Sequence, residues 1–558
     1  MQERAEKERT AAQQGPSRKG NGRAVGIGVV LFQLAGLAVM DDRVRPEQDM
    51  LHYQIDLAIP DSGRVVSGAV TITYAVRSGD GPLVVDFDSV FTVDSVVAEG
   101  RALRRGEAGW RWVRTDEGWA LRVAHWAGPG DTLHVTVFYR GAPRDGLFVQ
   151  PNIHGSRTAF VENWPQRARH WFPSEDHPSD KATVAFAVVA PAGWRVVANG
   201  EWKGTDSLPH GRTRWRWATQ RRIPTYNMVV GAGPLAVTDL GAQGVVAQSV
   251  WAFPEDSAFA VTGPFRRSAD MTARFTKLLG PFPYEKLAHV ESSTRFGGME
   301  NASAIFYGER AYADRSLSEE TVAHEIAHQW FGDAVTARDW HHVWLSEGFA
   351  SYLGPWYFEL AGEPATFREA MERNRRVYLA SAVVNRPVLD TAERNVTNLL
   401  NANSYPKAAW ILHMLRRVMG DSAFVDGLRA YYAAYRDSTA LSSDFVRVME
   451  RYAGMPVDDF FRQWLLQPGY PRLEVTWRYA GGTLALDVTQ GQPPTWGLFS
   501  LPVPIRATLA NGAQFDFLFH LSGRSASAEY PLAAEPAAVE VDPLGDFLLE
   551  ATVRPGRR

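Results

Sequence analysis

The 558-residue chain contains no cysteine, which excludes disulfides and thiolate metal sites and leaves His, Asp and Glu as the strong ligands. It also lacks an excess of either charge: 59 Lys and Arg against 62 Asp and Glu give a formal net charge of −3. No global positive field is available to gather phosphates, so nucleic acid is not an expected partner. Internal repeats are missing, as is low-complexity sequence beyond a polar start. Long apolar runs are scarce. The one present, residues 24–40, is broken only by Gln33, follows Arg18, Lys19 and Arg23, and precedes Asp41 and Asp42. That pattern suits an export signal or short anchor. As a helix it would rise about 25 Å against a hydrocarbon core of about 30 Å. Residues 1–43 are therefore expected to be a signal or membrane-anchor leader, with residues 24–40 the candidate for membrane attachment and the periplasm or cell envelope the expected location.

Hydrophobic residues make up 45% of the chain and charged residues 22%, with 19 Trp and 28 Phe, so there is ample apolar surface to offset chain entropy. The length exceeds the ~250–300 residues that one core serves, and several domains are expected. Residues 44–252 alternate with period two in segments such as 53–59, 69–74 and 132–139, separated by Gly, Pro and Asp. They read as an N-terminal antiparallel β domain. Residues 253–468 carry apolar residues at helical spacing, with helices expected over 257–279, 319–331, 345–360, 405–418 and 442–451. After Pro468 to Pro471 the period returns to two, and residues 469–558 suit a small C-terminal β-sandwich. The fold class is multidomain α+β.

Within the segment 319–331 stand His324, Glu325 and His328. Residues four apart lie on one helix face, so both imidazoles can converge on one ion. Ser316, Ser318 and Glu319 offer a capping arrangement upstream, and Gly332 and Asp333 offer a stop. Nineteen residues after His328 comes Glu347, on a second helix that can return antiparallel and supply a carboxylate. Three protein ligands leave a fourth position for water, as at catalytic zinc. Such an ion lowers the pKa of bound water to about 7, and Glu325 is placed to accept the proton as general base.

With these residues in hand, the chain resembles the aminopeptidase N and leukotriene hydrolase family of zinc metallopeptidases, the gluzincin aminopeptidases. Its His-Glu-x-x-His, eighteen residues, Glu signature matches His324, Glu325, His328 and Glu347. Gly297, Gly298, Met299, Glu300 and Asn301 are similar to the family's Gly-x-Met-Glu-Asn exopeptidase motif, and Tyr405, Pro406 and Lys407 stand at the spacing of its catalytic tyrosine. Further likeness runs through Gln329 to Gly332 and Ala168 to Pro173.

The resemblance implies a thermolysin-like catalytic domain, one Zn2+ per chain, and hydrolysis of the N-terminal bond of peptides with a free α-amino group. It implies Tyr405 as a donor to the oxygen that becomes negative, Glu300 as the anion that captures the α-ammonium, and residues 297–301 as the strand along which the peptide lies. Three departures stand out. Glu162 occupies the place of a substrate-binding Gln, with Trp164 and Phe296 as candidate lining. Gly354 replaces a second acid that orients a zinc histidine, which leaves the orientation of His328 open. The chain is expected to be a short form lacking the large C-terminal helical domain. Two other readings stay open here: an inactive peptide-binding scaffold on this fold, and a zinc endopeptidase or epoxide hydrolase.

Overall fold

The computed structural model describes residues 45–556 apart from 80, 116–117 and 242–245. The expected leader, residues 1–43, lies outside the described residues. Among the described residues, no helix is long and apolar enough to cross a membrane.

The N-terminal region is β-rich. Its largest sheet has nine strands, centred on Gln48–Ala58, Val66–Val76, Thr132–Gly141 and Lys181–Ala190. Val66, Val70, Ile72, Tyr74 and Val76 are buried on the period of two that a half-covered strand dictates. The expectation of an antiparallel domain needs one correction, because Gln48–Ala58 and Lys181–Ala190 run parallel, with His52 opposite Thr183. Hairpins impose antiparallel neighbours on strands close in sequence. Lys181–Ala190 returns only after a long excursion, so no hairpin sets its direction.

A five-stranded sheet follows, built from Ala236–Gly241, Gln248–Ala252, Leu287–Ser292, Ala304–Gly308 and Gly298–Met299 in that spatial order. It lies between two cores. Leu287, Ile305 and Tyr307 pack into the helical core, whereas Ala288, Val290, Ala304 and Phe306 pack into the N-terminal core. The reading of residues 253–468 as mainly helical missed Leu287–Ser292 and Ala304–Gly308, for a physical reason. Ala304–Gly308 is apolar and buried on both faces, so it shows no alternation, and Leu287–Ser292 is buried throughout although it carries His289, Glu291 and Ser292, polar residues that weaken an apolar reading.

The helices differ from expectation mainly at their ends. Residues 257–279 form two helices, Ser257–Thr262 and Ser268–Leu279, interrupted at Gly263 and Pro264, where proline removes a backbone donor. The motif helix is Glu319–His328, and its N-cap is Ser318, whose Oγ accepts the Thr321 N–H at 3.1 Å. The helix Trp344–Leu360 is buried from Trp344 to Phe358. Ser346 meets His328, and the backbone at Gly354 passes against that of His324, so the two helices run antiparallel. Residues Asn403–Lys407 form a π turn that leads into the helix Ala408–Met419. A four-stranded sheet (Ser525–Pro531, Thr483–Gln490, Arg472–Ala480, Glu550–Pro555) and a three-stranded sheet (Gln514–Leu521, Leu501–Leu509, Pro536–Val541) complete the chain. Their buried residues, among them Val475, Leu486, Val503 and Ile505, join the same core as the helices.

Candidate metal centre and active site

His324 and His328 share one face of the motif helix, and the antiparallel helix brings Glu347 opposite them. His324 Nε2 and His328 Nε2 are 3.0 Å apart, and Glu347 Oε2 lies 3.7 Å from the first and 3.4 Å from the second. Ligands of a tetrahedral ion with bonds of about 2.0–2.2 Å are spaced roughly 3.3–3.5 Å apart. The three atoms therefore fit a single small dication. The charge balance agrees, because Glu300, Glu325 and Glu347 all crowd His328. Burial opposes a charge on His328, yet Glu300 and Glu347 push its pKa up to about 10. Burial likewise opposes a charge on Glu347, but His328 and His324 hold it down at about 2. A dication supplies the positive charge that this ring would otherwise take up as a proton.

Supporting contacts fix the ligands. His328 Nδ1 lies 3.1 Å from the Phe331 carbonyl and 3.1 Å from Ser346 Oγ. The orientation of His328 left open by Gly354 is thus set by a backbone carbonyl and a hydroxyl. The ring of His324 lies parallel to that of Tyr405 at 6.2 Å.

Glu325 is buried, one of its oxygens has no partner among the described residues, and it sits against the strand Gly298–Met299. A Cβ at position 298 would stand 2.0 Å from Glu325 Oε1, so only glycine allows this approach. Burial, reinforced by Glu300 and Glu347, pushes Glu325 well above the ordinary carboxylate range. Burial, with Glu347 adding to it, also raises Glu300 to about 7. Burial and then Glu347 raise Tyr405 well above the usual phenol value, which keeps its hydroxyl a donor. The π turn under Tyr405 is tied down by Asn403, whose amide donates to the carbonyls of Val383 at 2.9 Å and Arg386 at 3.0 Å, and by Lys407, whose Nζ donates to the Gln467 carbonyl at 3.0 Å.

The remaining candidates fall into two groups. Gly297, Gly298 and Met299 line the short edge strand, with Met299 opposite Phe306, and Asn301 is buried with neither amide atom partnered among the described residues. Glu162 is also buried, but its oxygens are engaged: one pairs with Arg167, and the other accepts the Arg295 N–H at 2.7 Å. Trp164 packs edge-on against Phe296 at 5.9 Å, as expected of neighbours in a lining, and against Trp340 at 5.5 Å.

Several contributors were given no role from the sequence. Gln329 Nε2 donates to the Glu300 carbonyl at 2.7 Å and to Asp333 at 2.8 Å, while its oxygen accepts the Ser303 N–H at 2.8 Å. Gln329 opens the stretch Gln329 to Gly332 in which the resemblance was seen, but its partners could not be read there. Ser346 lies on the helix Trp344–Leu360 one residue before Glu347, and Trp340 in the turn that precedes that helix.

Comparisons with known proteins fit this geometry. The chain matches the Peptidase family M1 domain over residues 269–464 and the Peptidase M1 N-terminal domain over residues 49–227. It is similar to probable aminopeptidase 2 of Sulfurisphaera tokodaii, at 29% identity over 59% of this chain and 44% of that protein, and to aminopeptidase B of Mus musculus, at 26% over 76% and 70%. Among solved structures it is similar to the M1 zinc metallopeptidase from Deinococcus radiodurans, with TM-score 0.65 and 26% identity over 76% of this chain and 95% of that one. A mutant of that protein bound to a Tyr-ser-ala substrate matches with TM-score 0.65 and 25% identity, over 76% of this chain and 95% of that one. The matches span 44% of the first curated relative and 38% of another, the aminopeptidase N of Lactococcus lactis.

Proposed function

The chain belongs to the peptidase M1 family, and on that footing we propose that it is a zinc aminopeptidase, removing residues from the free N-terminus of peptides. The observation that carries the reading is the triangle of His324, His328 and Glu347 donor atoms, with Glu325 and Glu300 beside it. Bound there, zinc would act as a Lewis acid toward a water and the scissile carbonyl.

Each residue then has a task. Glu325 takes the proton of the attacking water and delivers it to the leaving amine nitrogen. The Tyr405 hydroxyl donates to the oxygen where negative charge develops, a contact made only in the transition state. Glu300 pairs with the substrate α-ammonium and so places the first peptide bond, and no later one, at the reacting centre. The edge of Gly298 and Met299 offers backbone groups to the peptide as an added strand. Asn301 follows that strand with its buried amide unpartnered among the described residues and so open to the peptide. With the charge of Glu162 met by Arg167, the ammonium falls to Glu300, and Glu162 borders the pocket by holding the Arg295 N–H. In this reading residues 44–252 are the N-terminal β domain, 253–468 a thermolysin-like catalytic domain and 469–558 a small β-sandwich.

Release of a chromophore from aminoacyl substrates tests the proposal. Activity is expected on the free amine, and it should vanish on N-acetylation, on chelation and in Glu325→Gln. Glu300→Ala should lose most of kcat/KM. Cleavage that survives acetylation would replace this reading with an endopeptidase, and inert protein with full zinc would replace it with a binding scaffold.

A further inference from the structure

A second group of donors lies apart from the three-ligand centre, where the N-terminal strands meet the five-stranded sheet. His154 stands in the turn after the strand Leu147–Pro151, Asp256 immediately precedes the helix Ser257–Thr262, and Glu291 is on the strand Leu287–Ser292. One ligand atom from each lies within 4.8 Å of the others. His154 Nε2 and Asp256 Oδ2 are hydrogen-bonded at 2.6 Å, closer than two ligands of one ion stand, so an ion bound there would take the place of that bond and part the two atoms. Glu291 is fully buried; one oxygen accepts the Phe253 N–H at 2.8 Å, and the other has no partner among the described residues.

A second polar group points the same way. The Tyr312 hydroxyl is fully buried and unpartnered among the described residues, and Glu291 and Asp256 are the carboxylates that act on it. The surrounding charge is unbalanced. Glu309, which accepts the Ile153 N–H at 2.8 Å, adds a third carboxylate. Against these three carboxylates stand Arg315, 3.5 Å from Asp256 Oδ1 on a side chain 53% exposed, and Arg310, which acts on Glu309. Carboxylates this buried are costly unless a cation or proton meets them.

We propose that His154, Asp256 and Glu291 hold a second divalent ion, of the zinc or manganese class, which ties the turn at His154 to the strand Leu287–Ser292. The imidazole and two carboxylates favour a first-row transition ion over calcium or magnesium, which prefer oxygen alone. The site braces the active site from behind. Leu287–Ser292 pairs with Ala304–Gly308, and that strand pairs with Gly298–Met299, which runs into Glu300.

The test removes the first centre and counts what remains. The full chain carrying His324→Ala and His328→Ala is equilibrated with zinc chloride, or with manganese chloride, and dialysed before metal analysis. One equivalent per chain is expected, with a Tm several degrees above the metal-free protein. Adding Glu291→Gln, or separately His154→Gln, should abolish both. Without an ion, burial, opposed by the Phe253 N–H and reinforced by Asp256, raises the pKa of Glu291 to about 9, so Gln replaces a protonated acid of the same shape. His154, at the partly exposed rim, is the variant least able to disturb folding. A two-histidine variant that keeps its fold but retains neither metal would overturn the proposal in favour of a proton shared by two carboxyls. So would metal that persists unchanged in both added variants.

Discussion

At the scale of the residue, the site is an exercise in charge and contact distance. Two imidazoles, that of His324 half-buried, stand beside three buried carboxylates, and the excess of acid favours a dication among them. Gly298 shows how closely the parts fit. A methyl group there would stand 2.0 Å from Glu325 Oε1, so Gly298→Ala must turn the base aside or lift the strand. Displacements of about 1 Å in a reacting group cost on the order of 100-fold. The expected outcome is a fall in kcat of that order with zinc content unchanged and Tm within a few degrees of wild type, read by steady-state kinetics, metal analysis and thermal unfolding. An alanine variant of full activity would show that Glu325 does not need its present position. These residues were legible because chemistry demands their types at fixed helical offsets. Ser346 and Gln329 were not, because a hydroxyl or amide becomes functional only through what folding sets opposite it.

The site is made at the scale of the element by two antiparallel helices and one irregular turn. Glu319–His328 presents both histidines because four residues make about one turn, and Trp344–Leu360 brings Glu347 across from them. The Tyr405 turn reaches the same point because Gly348 lets Trp344–Leu360 touch Ala408. A Cβ at 348 would stand 2.5 Å from the Ala408 Cβ. Gly348→Ala should therefore push the two helices apart, at about 1–3 kcal/mol of stability for overpacking, and reduce kcat more than KM by withdrawing Tyr405. Denaturant unfolding and initial rates check this; unchanged values of both would mean that the helices have slack. Sequence periodicity located these helices to within a few residues. It did not show the π turn, since Tyr405, Pro406 and Lys407 read equally well as a helix start, and the turn is held by distant carbonyls of Val383, Arg386 and Gln467.

Over the whole molecule, the N-terminal β region serves the centre without supplying a ligand to it. Lys181 Nζ donates to the carbonyls of Asp333 and Ala334 at 2.9 Å each, and the Tyr226 hydroxyl donates to Gly332 at 3.0 Å, so the segment after His328 is held from the neighbouring core. Asn199 donates to the Ala302 carbonyl at 2.7 Å and steadies the strand region behind Glu300. The alternation of β and helical text along the chain was readable. The central sheet between the two cores was not, because its strands are short, burial on both faces erases the period in Ala304–Gly308, and Leu287–Ser292 buries polar residues among apolar ones. All of these supports converge on one point in space, where His324 Nε2, His328 Nε2 and Glu347 Oε2 face each other. Anomalous scattering at the zinc edge from crystals of active protein tests that convergence most directly. The account predicts a zinc peak about 2.0–2.2 Å from each of the three atoms, and active crystals with no peak there would contradict it.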